Sequence, residues 1–108
     1  MEKAWAREET AGMIRLTELS CTAGVTVVKV EGNLTGDTLQ ILGQTLADYQ
    51  QRGIGAVNLV ADGVVAIDRL ALEAWLRETP PQAELTFLTS RTVLHQLLAN
   101  CGVKVVLQ

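Results

Sequence analysis

The fold is decided by residues 56–75, whose sequence is AVNLVADGVVAIDRLALEAW. The apolar pattern predicts a strand at 56–60, a loop at 61–63, a second apolar segment at 64–67 and a helix at 69–78. Asp68 stands directly before the helix, where its carboxylate can accept hydrogen bonds from the free N–H groups of the first turn. The next residue, Arg69, is a cation at a place where the helix dipole favours an anion. This strand-to-helix junction is therefore the first candidate site.

Composition narrows the class of protein. The chain has 108 residues, 48% of them hydrophobic, which fits one folded domain with an aliphatic core. Its net charge is −3 and it lacks clusters of Lys and Arg, which argues against nucleic-acid binding. No apolar segment approaches the roughly 20 residues that cross a bilayer, and the charged N-terminus does not resemble a secretion signal. With only Cys21 and Cys101 present, we expect reduced thiols and a cytoplasmic location.

The rest of the chain alternates between strand and helix patterns. Leu39, Leu42, Leu46 and Tyr49 recur at helical spacing, which is the stripe of a surface helix. We predict further strands at 13–20, 25–31, 84–88 and 103–107, and further helices at 37–51 and from Thr89 or Ser90 to Asn100. The order β-β-α-β-α-β-α-β predicts a single-domain α/β fold, with a mixed, mostly parallel sheet and helices packed mainly on one face.

The N-terminal residues form an extension to this domain. We assign residues 1–12 to the extension and 13–108 to the domain, and we expect the first eleven residues to form a frayed helix or an ordered tail. Trp5 lies on the extension, where it could cover the open face of the sheet or contact another subunit. The other tryptophan, Trp75, would mark a binding surface if exposed, but we expect it to fill a core that is poor in aromatic residues.

The sequence offers few candidates for catalytic residues. His95 lies beside an apolar helix stripe, Ser20 lies at a strand end and Ser90 is placed as a helix cap, so none has a recognisable catalytic partner. Two distant cysteines and one histidine do not supply the three or four ligands of a metal site. We therefore expect no enzyme activity, no catalytic residue, no metal and no cofactor.

Three segments together carry a family resemblance. A predicted hairpin ends in Gly32-Asn33-Leu34-Thr35 and opens the first helix, and the segment VNLVADGVVAID ends on Asp68 at the start of the second. The C-terminal segment LTFLTSRTVLHQLLANCGVKVVL contains a strand, a helix, an Asn-Cys-Gly stop and a closing strand. Over residues 13–108 the chain resembles a STAS domain, the fold of bacterial anti-sigma-factor antagonists and of the cytoplasmic tails of sulfate transporters.

The chain departs from that family at the junction after the second strand segment. Antagonists of the family carry Asp-Ser-Ser-Gly there, and the serine after the aspartate is phosphorylated by a partner kinase. This chain has Asp68-Arg69-Leu70-Ala71, so we expect phosphorylation at neither Arg69 nor Leu70. Thr35 stands where the family has an aspartate, and we expect it to cap the first helix.

The resemblance implies a non-catalytic protein–protein interaction module with an anti-sigma-factor-like kinase as its partner. The alternative is a STAS subunit of an ABC-type lipid transport complex that binds the ATPase of that complex. In either case we expect a docking surface made of Asn33, Leu34, Thr35, Gly63, Asp68, Arg69, Leu70 and Leu72. We expect no direct membrane insertion. The sequence also allows a homodimer through the open face of the sheet.

Overall fold

One sheet organises the molecule, and each of its strands lies beside its neighbours in sequence. The computed structural model describes residues 8–11, 14–78 and 84–108. The strands are β1 (Glu8–Ala11), β2 (Ile14–Thr22), β3 (Val25–Leu34), β4 (Ala56–Ile67), β5 (Glu84–Thr89) and β6 (Val105–Leu107), and the helices are α1 (Gly36–Gln51), α2 (Arg69–Glu78) and α3 (Thr92–Asn100). Within these ranges no helix is both long enough and apolar enough to cross a bilayer.

Strand direction places all three helices on one face of the sheet. Strands β1, β2 and β3 pair antiparallel, whereas β3 to β6 pair parallel. Each parallel connection runs through a helix, and such connections are right-handed in nearly all proteins. Because β3 to β6 follow in chain order, their right-handed crossovers put α1, α2 and α3 on the same face. The predicted mixed, mostly parallel sheet is thus confirmed.

The core lies between this face and the helices. Val28, Leu59 and Phe87 are register partners on β3, β4 and β5, and all are buried. The predicted stripe of α1 packs against the sheet, since its four members, Leu39, Leu42, Leu46 and Tyr49, are buried. Trp75 of α2 is also buried, as expected. A Cβ atom on Gly43 would lie 3.2 Å from Trp75 Nε1, so the glycine lets α1 and α2 approach at this point.

The middle of β4 corrects one prediction. Residues 61–63 were expected to form a loop, but β4 is continuous from Ala56 to Ile67. The turn-forming sequence Asp62-Gly63 is overridden because β3 pairs with β4 along most of its length and supplies backbone hydrogen-bond partners. β3 likewise extends through Leu34, beyond the end predicted at residue 31, so that Gly32 and Asn33 belong to the strand.

The ends of the chain bring further corrections. Residues 8–11 form strand β1, which pairs with β2, so the helix alternative is wrong over this segment, whereas an ordered tail is compatible with the strand. Helix α3 begins at Thr92 with Arg91 at its N-cap, because Thr89 completes β5 and is buried. Trp5 and the domain boundary expected between residues 12 and 13 lie outside the described residues and stay predictions.

Candidate docking surface

The ends of β3 and β4 meet at the strand-to-helix junction. The backbone N–H of Asp68 donates to the carbonyl of Leu34 at 2.8 Å, which joins the two strand ends. The Asp68 carboxylate accepts a hydrogen bond from the Ala71 N–H at 3.1 Å and so caps α2, as the sequence predicts. The starts of α1 and α2 therefore lie side by side at the carboxyl edge of the sheet, which is where open α/β sheets most often bind partners or ligands.

Thr35 caps the adjacent helix through a reciprocal pair of hydrogen bonds. Its hydroxyl accepts from the Thr38 N–H at 3.4 Å, while the Thr38 hydroxyl accepts from the Thr35 N–H at 2.8 Å. This is a capping box in which a threonine takes the place usually held by Glu or Gln. The predicted cap at Thr35 is confirmed. Because its hydroxyl caps α1, Thr35 has a structural role at this edge.

Two of the residues expected to contact a partner are inside the protein. Leu34 and Leu72 are both 0% exposed, so the prediction that their side chains face a partner is wrong. Leu34 ends β3 and Leu72 lies in the first turn of α2. Both side chains pack in the core next to the junction. Leu70, in contrast, is 78% exposed on the same helix. Helical periodicity separates these two leucines, since residues two positions apart point in different directions.

Arg69 is exposed, but it has an internal partner. Its Nε donates to Glu73 Oε2 at 3.0 Å, one helical turn along α2. This hydrogen bond raises the pKa of Arg69 above its ordinary value. With 59% of its side chain exposed, Arg69 can still meet a carboxylate of a partner, but it must share its charge with Glu73.

An apolar groove that sequence reasoning missed lies beside this junction. Its first wall is the end of β4, residues 64–67, and its second wall is the α3 face formed by Val93, Leu94 and Leu97, with Arg91 at one end. Val65 is 74% exposed and Val93 is 75% exposed, which is unusual for valine. The groove volume is about 90 Å³, well below the several hundred Å³ typical of small-molecule sites. This volume suits a single amino-acid side chain better than a small-molecule substrate.

Two bulges in β4 explain why Val65 points outward. Lys29 pairs with Val60 but Glu31 pairs with Gly63, so β4 carries one extra residue between them. A second shift lies beyond Gly32, where β4 carries Val65 as another extra residue. Residues added at a bulge leave the ladder and re-aim their neighbours, often next to functional sites.

Gly63 lies in the strand between the two bulges. A Cβ atom there would lie 2.6 Å from Glu31 Cγ and 3.3 Å from Glu31 Cα, so only glycine fits under the Glu31 side chain. Gly63 was expected in the docking surface, and the structure places it beneath Glu31. Asn33, also expected there, is half-buried near the end of β3.

A polar network connects β4 to the start of α3. Asp62 Oδ1 accepts hydrogen bonds from Thr89 Oγ1 at 2.6 Å and from the Ser90 N–H at 2.8 Å, while Asp62 Oδ2 accepts from Ser90 Oγ at 2.8 Å. Arg91 Nη1 donates to the carbonyls of Asp62, at 3.0 Å, and Val64, at 2.7 Å. We call these contacts the 62–91 clamp. The hydrogen bond from Thr89, followed by those from Ser90, lowers the pKa of Asp62.

Among the described residues, the other side chains that could take part in catalysis or metal binding do not lie together. His95 lies half-buried on α3, Ser20 is exposed on β2 and Cys21 is exposed at the far end of that strand. Burial raises the pKa of the Cys101 thiol, which makes it less reactive at neutral pH. In the part of the chain that the structure describes, no three His, Cys, Asp or Glu side chains lie together as a metal ion would require.

The protein is thus an α/β domain whose most exposed large apolar side chains, those of Val65, Leu70 and Val93, lie at the carboxyl edge of its parallel strands. The structure of an anti-sigma factor antagonist from Mycobacterium paratuberculosis is similar, with a TM-score of 0.52 over 83% of this chain and 84% of that chain, at 17% sequence identity. This likeness confirms the STAS-type fold that the sequence resemblance implied. No family model and no curated protein matches the sequence.

Proposed function

We propose that the protein is a non-catalytic protein–protein interaction module that acts like an anti-sigma-factor antagonist. The observation that carries the proposal is the exposure of Val65, Leu70 and Val93 around one edge of the fold. Large apolar side chains that cluster on a surface mark interaction sites, because water contact with them is unfavourable. The likeness in fold to an anti-sigma factor antagonist supports a partner of the anti-sigma-factor type, and we propose that this partner is a kinase.

The proposed docking surface differs from the one expected from sequence. It consists of the groove, Leu70 and the exposed side of Arg69, while Asn33, Thr35, Gly63 and Asp68 shape the edge beneath it. Leu70 is the best candidate for an anchor, because a protruding leucine can enter an apolar pocket of the partner. Arg69 lies next to it and would favour an acidic residue on the partner.

Regulation at this surface cannot follow the usual phosphorylation of the family. Residues 69–71 are Arg-Leu-Ala and carry no hydroxyl group. We propose that the module binds its partner without a phosphate switch at this junction, from a cytoplasmic location. Incubation with ATP and a partner kinase should therefore leave residues 68–71 unmodified, as measured by mass spectrometry of the intact protein and its peptides.

The lack of a hydroxyl also favours a second candidate. A constitutive subunit of an ABC-type lipid transport complex needs a permanent docking edge and no phosphate switch. Such a subunit would use the same surface to bind the ATPase of the complex. The two candidates differ in the partner bound, so direct binding measurements separate them.

The experiment uses acidic substitutions that leave the helices intact. Leu70 and Val93 lie in the first turns of α2 and α3, where aspartate is favourable to the helix dipole. Leu70→Asp and Val93→Asp should therefore fold normally but bind poorly. The matched control is Leu19→Asp, because Leu19 is 53% exposed at a bulge of β2 away from this edge.

Binding is measured by calorimetry with each purified anti-sigma-factor kinase and each purified ABC-type ATPase of the host. We expect one of these proteins to bind the wild type and the Leu19 variant, and to lose at least tenfold in affinity for the two edge variants. Equal affinities for all four proteins would reject this surface. A lack of binding by every candidate would reject the proposed function.

A further inference from the structure

Strand β4 extends beyond the end of its pairing with β5. Its pairing with β5 stops at Val60 and Leu88, yet β4 continues for seven more residues to Ile67. On the β5 side of this extension, the carbonyls of Asp62 and Val64 are held by a single atom, Nη1 of Arg91. A side chain from the start of α3 thus takes over the role of a neighbouring strand.

The other half of the clamp fixes Arg91 itself. Thr89 and Ser90 donate three hydrogen bonds to the Asp62 carboxylate, which ties the short segment before α3 to the first bulge of β4. The Thr89 hydroxyl also accepts from the Arg91 N–H at 3.1 Å. Arg91 is therefore held at both its backbone and its guanidinium group, and hydrogen bonds that involve a charged group are the stronger ones.

The clamp connects the two walls of the groove. One of its ends lies at Asp62 and Val64, directly before the exposed Val65 of the β4 wall. Its other end is Arg91, the N-cap of the helix that carries Val93 and Leu97 of the second wall. Among the described residues, β4 pairs with β5 only as far as Val60 and Leu88, so the clamp supplies the hydrogen bonds that connect the two walls at this end.

We propose that Arg91 and Asp62 are positioning residues of the docking surface: the clamp sets the width of the groove and so determines which partner side chain can enter it. The inference rests on the proposed function, because a groove without a partner has nothing to select. An apolar side chain in a groove gains free energy only where atoms meet at van der Waals distance, and a gap of 0.5–1 Å already loses about a quarter to a half of that attraction. A positional shift of this size would therefore reduce affinity without removing any contact residue.

The first test needs no partner. Arg91→Met keeps an unbranched side chain but removes the guanidinium donors, and Asp62→Ala removes the carboxylate but leaves Arg91 in place. Arg77→Met, on the exposed last turn of α2, is the charge-matched control. NMR hydrogen exchange on the full chain should show at least tenfold faster exchange of the amides of 63–67 in both clamp variants. The amides of 57–60 should be unchanged, which separates local opening from global destabilisation.

The second test measures affinity for the kinase or ATPase identified in the Leu70 and Val93 experiment. Both clamp variants should bind at least tenfold more weakly, and Arg77→Met should bind as the wild type does. Weaker binding by Asp62→Ala is decisive, because this variant keeps every side chain that lines the groove. Arg91→Lys retains the charge and donor groups and should recover part of the affinity lost in Arg91→Met.

Unchanged exchange at 63–67 in both clamp variants would overturn the proposal. Faster exchange with unchanged affinity would also overturn it, while the proposed function would stand. If no kinase or ATPase binds the wild type, the proposed function fails and this inference fails with it. The measured exchange rates would then describe only the stability of β4.

Discussion

The hydroxyl of Tyr49 donates a 2.7 Å hydrogen bond to the carboxylate of Glu18, and this bond joins α1 to β2 across 31 residues of sequence. Tyr49 is fully buried and Glu18 is 9% exposed, so the bond forms away from water. The guanidinium of Arg52 lies 4.9 Å above the Tyr49 ring and adds a cation–π contact. This hydrogen bond involves no residue of the docking surface, so it tests the fold separately.

Tyr49→Phe should destabilise the protein by about 1–3 kcal/mol, because Glu18 loses a donor while it stays buried. Urea unfolding of the wild type, of Tyr49→Phe, of Glu18→Leu and of the double variant gives the coupling energy between the two side chains. We expect the double variant to lose less stability than the sum of the single variants. Strict additivity would mean that the hydrogen bond does not contribute.

Gly63→Ala should destabilise the protein by about 1–3 kcal/mol, because the new methyl group would press against the Glu31 backbone and side chain. The control is Gly36→Ala at the first residue of α1, where a Cβ atom would meet no atom within 4 Å. That substitution should stabilise the protein by up to about 1 kcal/mol, since it lowers the entropy of the unfolded chain. Equal effects in urea unfolding would contradict the close contact seen at Gly63.

Leu72→Ala and Leu70→Ala should differ in their effect on stability, although the two residues lie within one turn of α2. Leu72 is 0% exposed, so its truncation should cost about 2–5 kcal/mol of unfolding free energy. Leu70 is exposed, so its truncation should change stability by less than about 0.5 kcal/mol. Thermal melts provide the measurement. A large loss of stability in Leu70→Ala would show that this side chain packs inside the protein.

Acidification should weaken the 62–91 clamp. Its hydrogen bonds lower the pKa of Asp62 below the ordinary value of 3.8, so the folded state binds a proton less readily than the unfolded state does. The stabilisation is therefore complete well above pH 3.8 and is lost as the pH falls through the lower pKa of the folded protein. The difference in melting temperature between the wild type and Asp62→Asn should be constant near neutral pH and should shrink below pH 3.8. A difference that grows on acidification would reverse the assigned sign.

Local signals predicted the first two helices and their N-caps well. The spacing of Leu39, Leu42, Leu46 and Tyr49 identified the buried face of α1, and Asp68 marked the start of α2. These features depend on neighbours within one or two helical turns, which the sequence states directly. The junction with β3 also followed from the sequence order of the three segments that resemble a STAS domain.

Features that depend on distant residues could not be predicted in this way. Asp62 and Gly63 have the composition of a turn, and only the pairing with β3 and the contact with Arg91, 29 residues away, keep them in a strand. Strand β1 has the charged sequence EETA and is recognisable only by its partner β2. The groove escaped notice because Val65 and Val93 lie in different elements, and because the exposure of Val65 depends on the bulges of β4.

The order of the strands bears on how the chain acquires its structure during synthesis. Every described strand pairs with the strand that precedes it in the chain, from β2 through β6. A ribosome delivers the N-terminus first, so each new strand finds its template already exposed and no segment has to thread past a later one. Assembly can thus proceed by stepwise addition at the growing border of the sheet, with the docking edge completed only when α3 emerges.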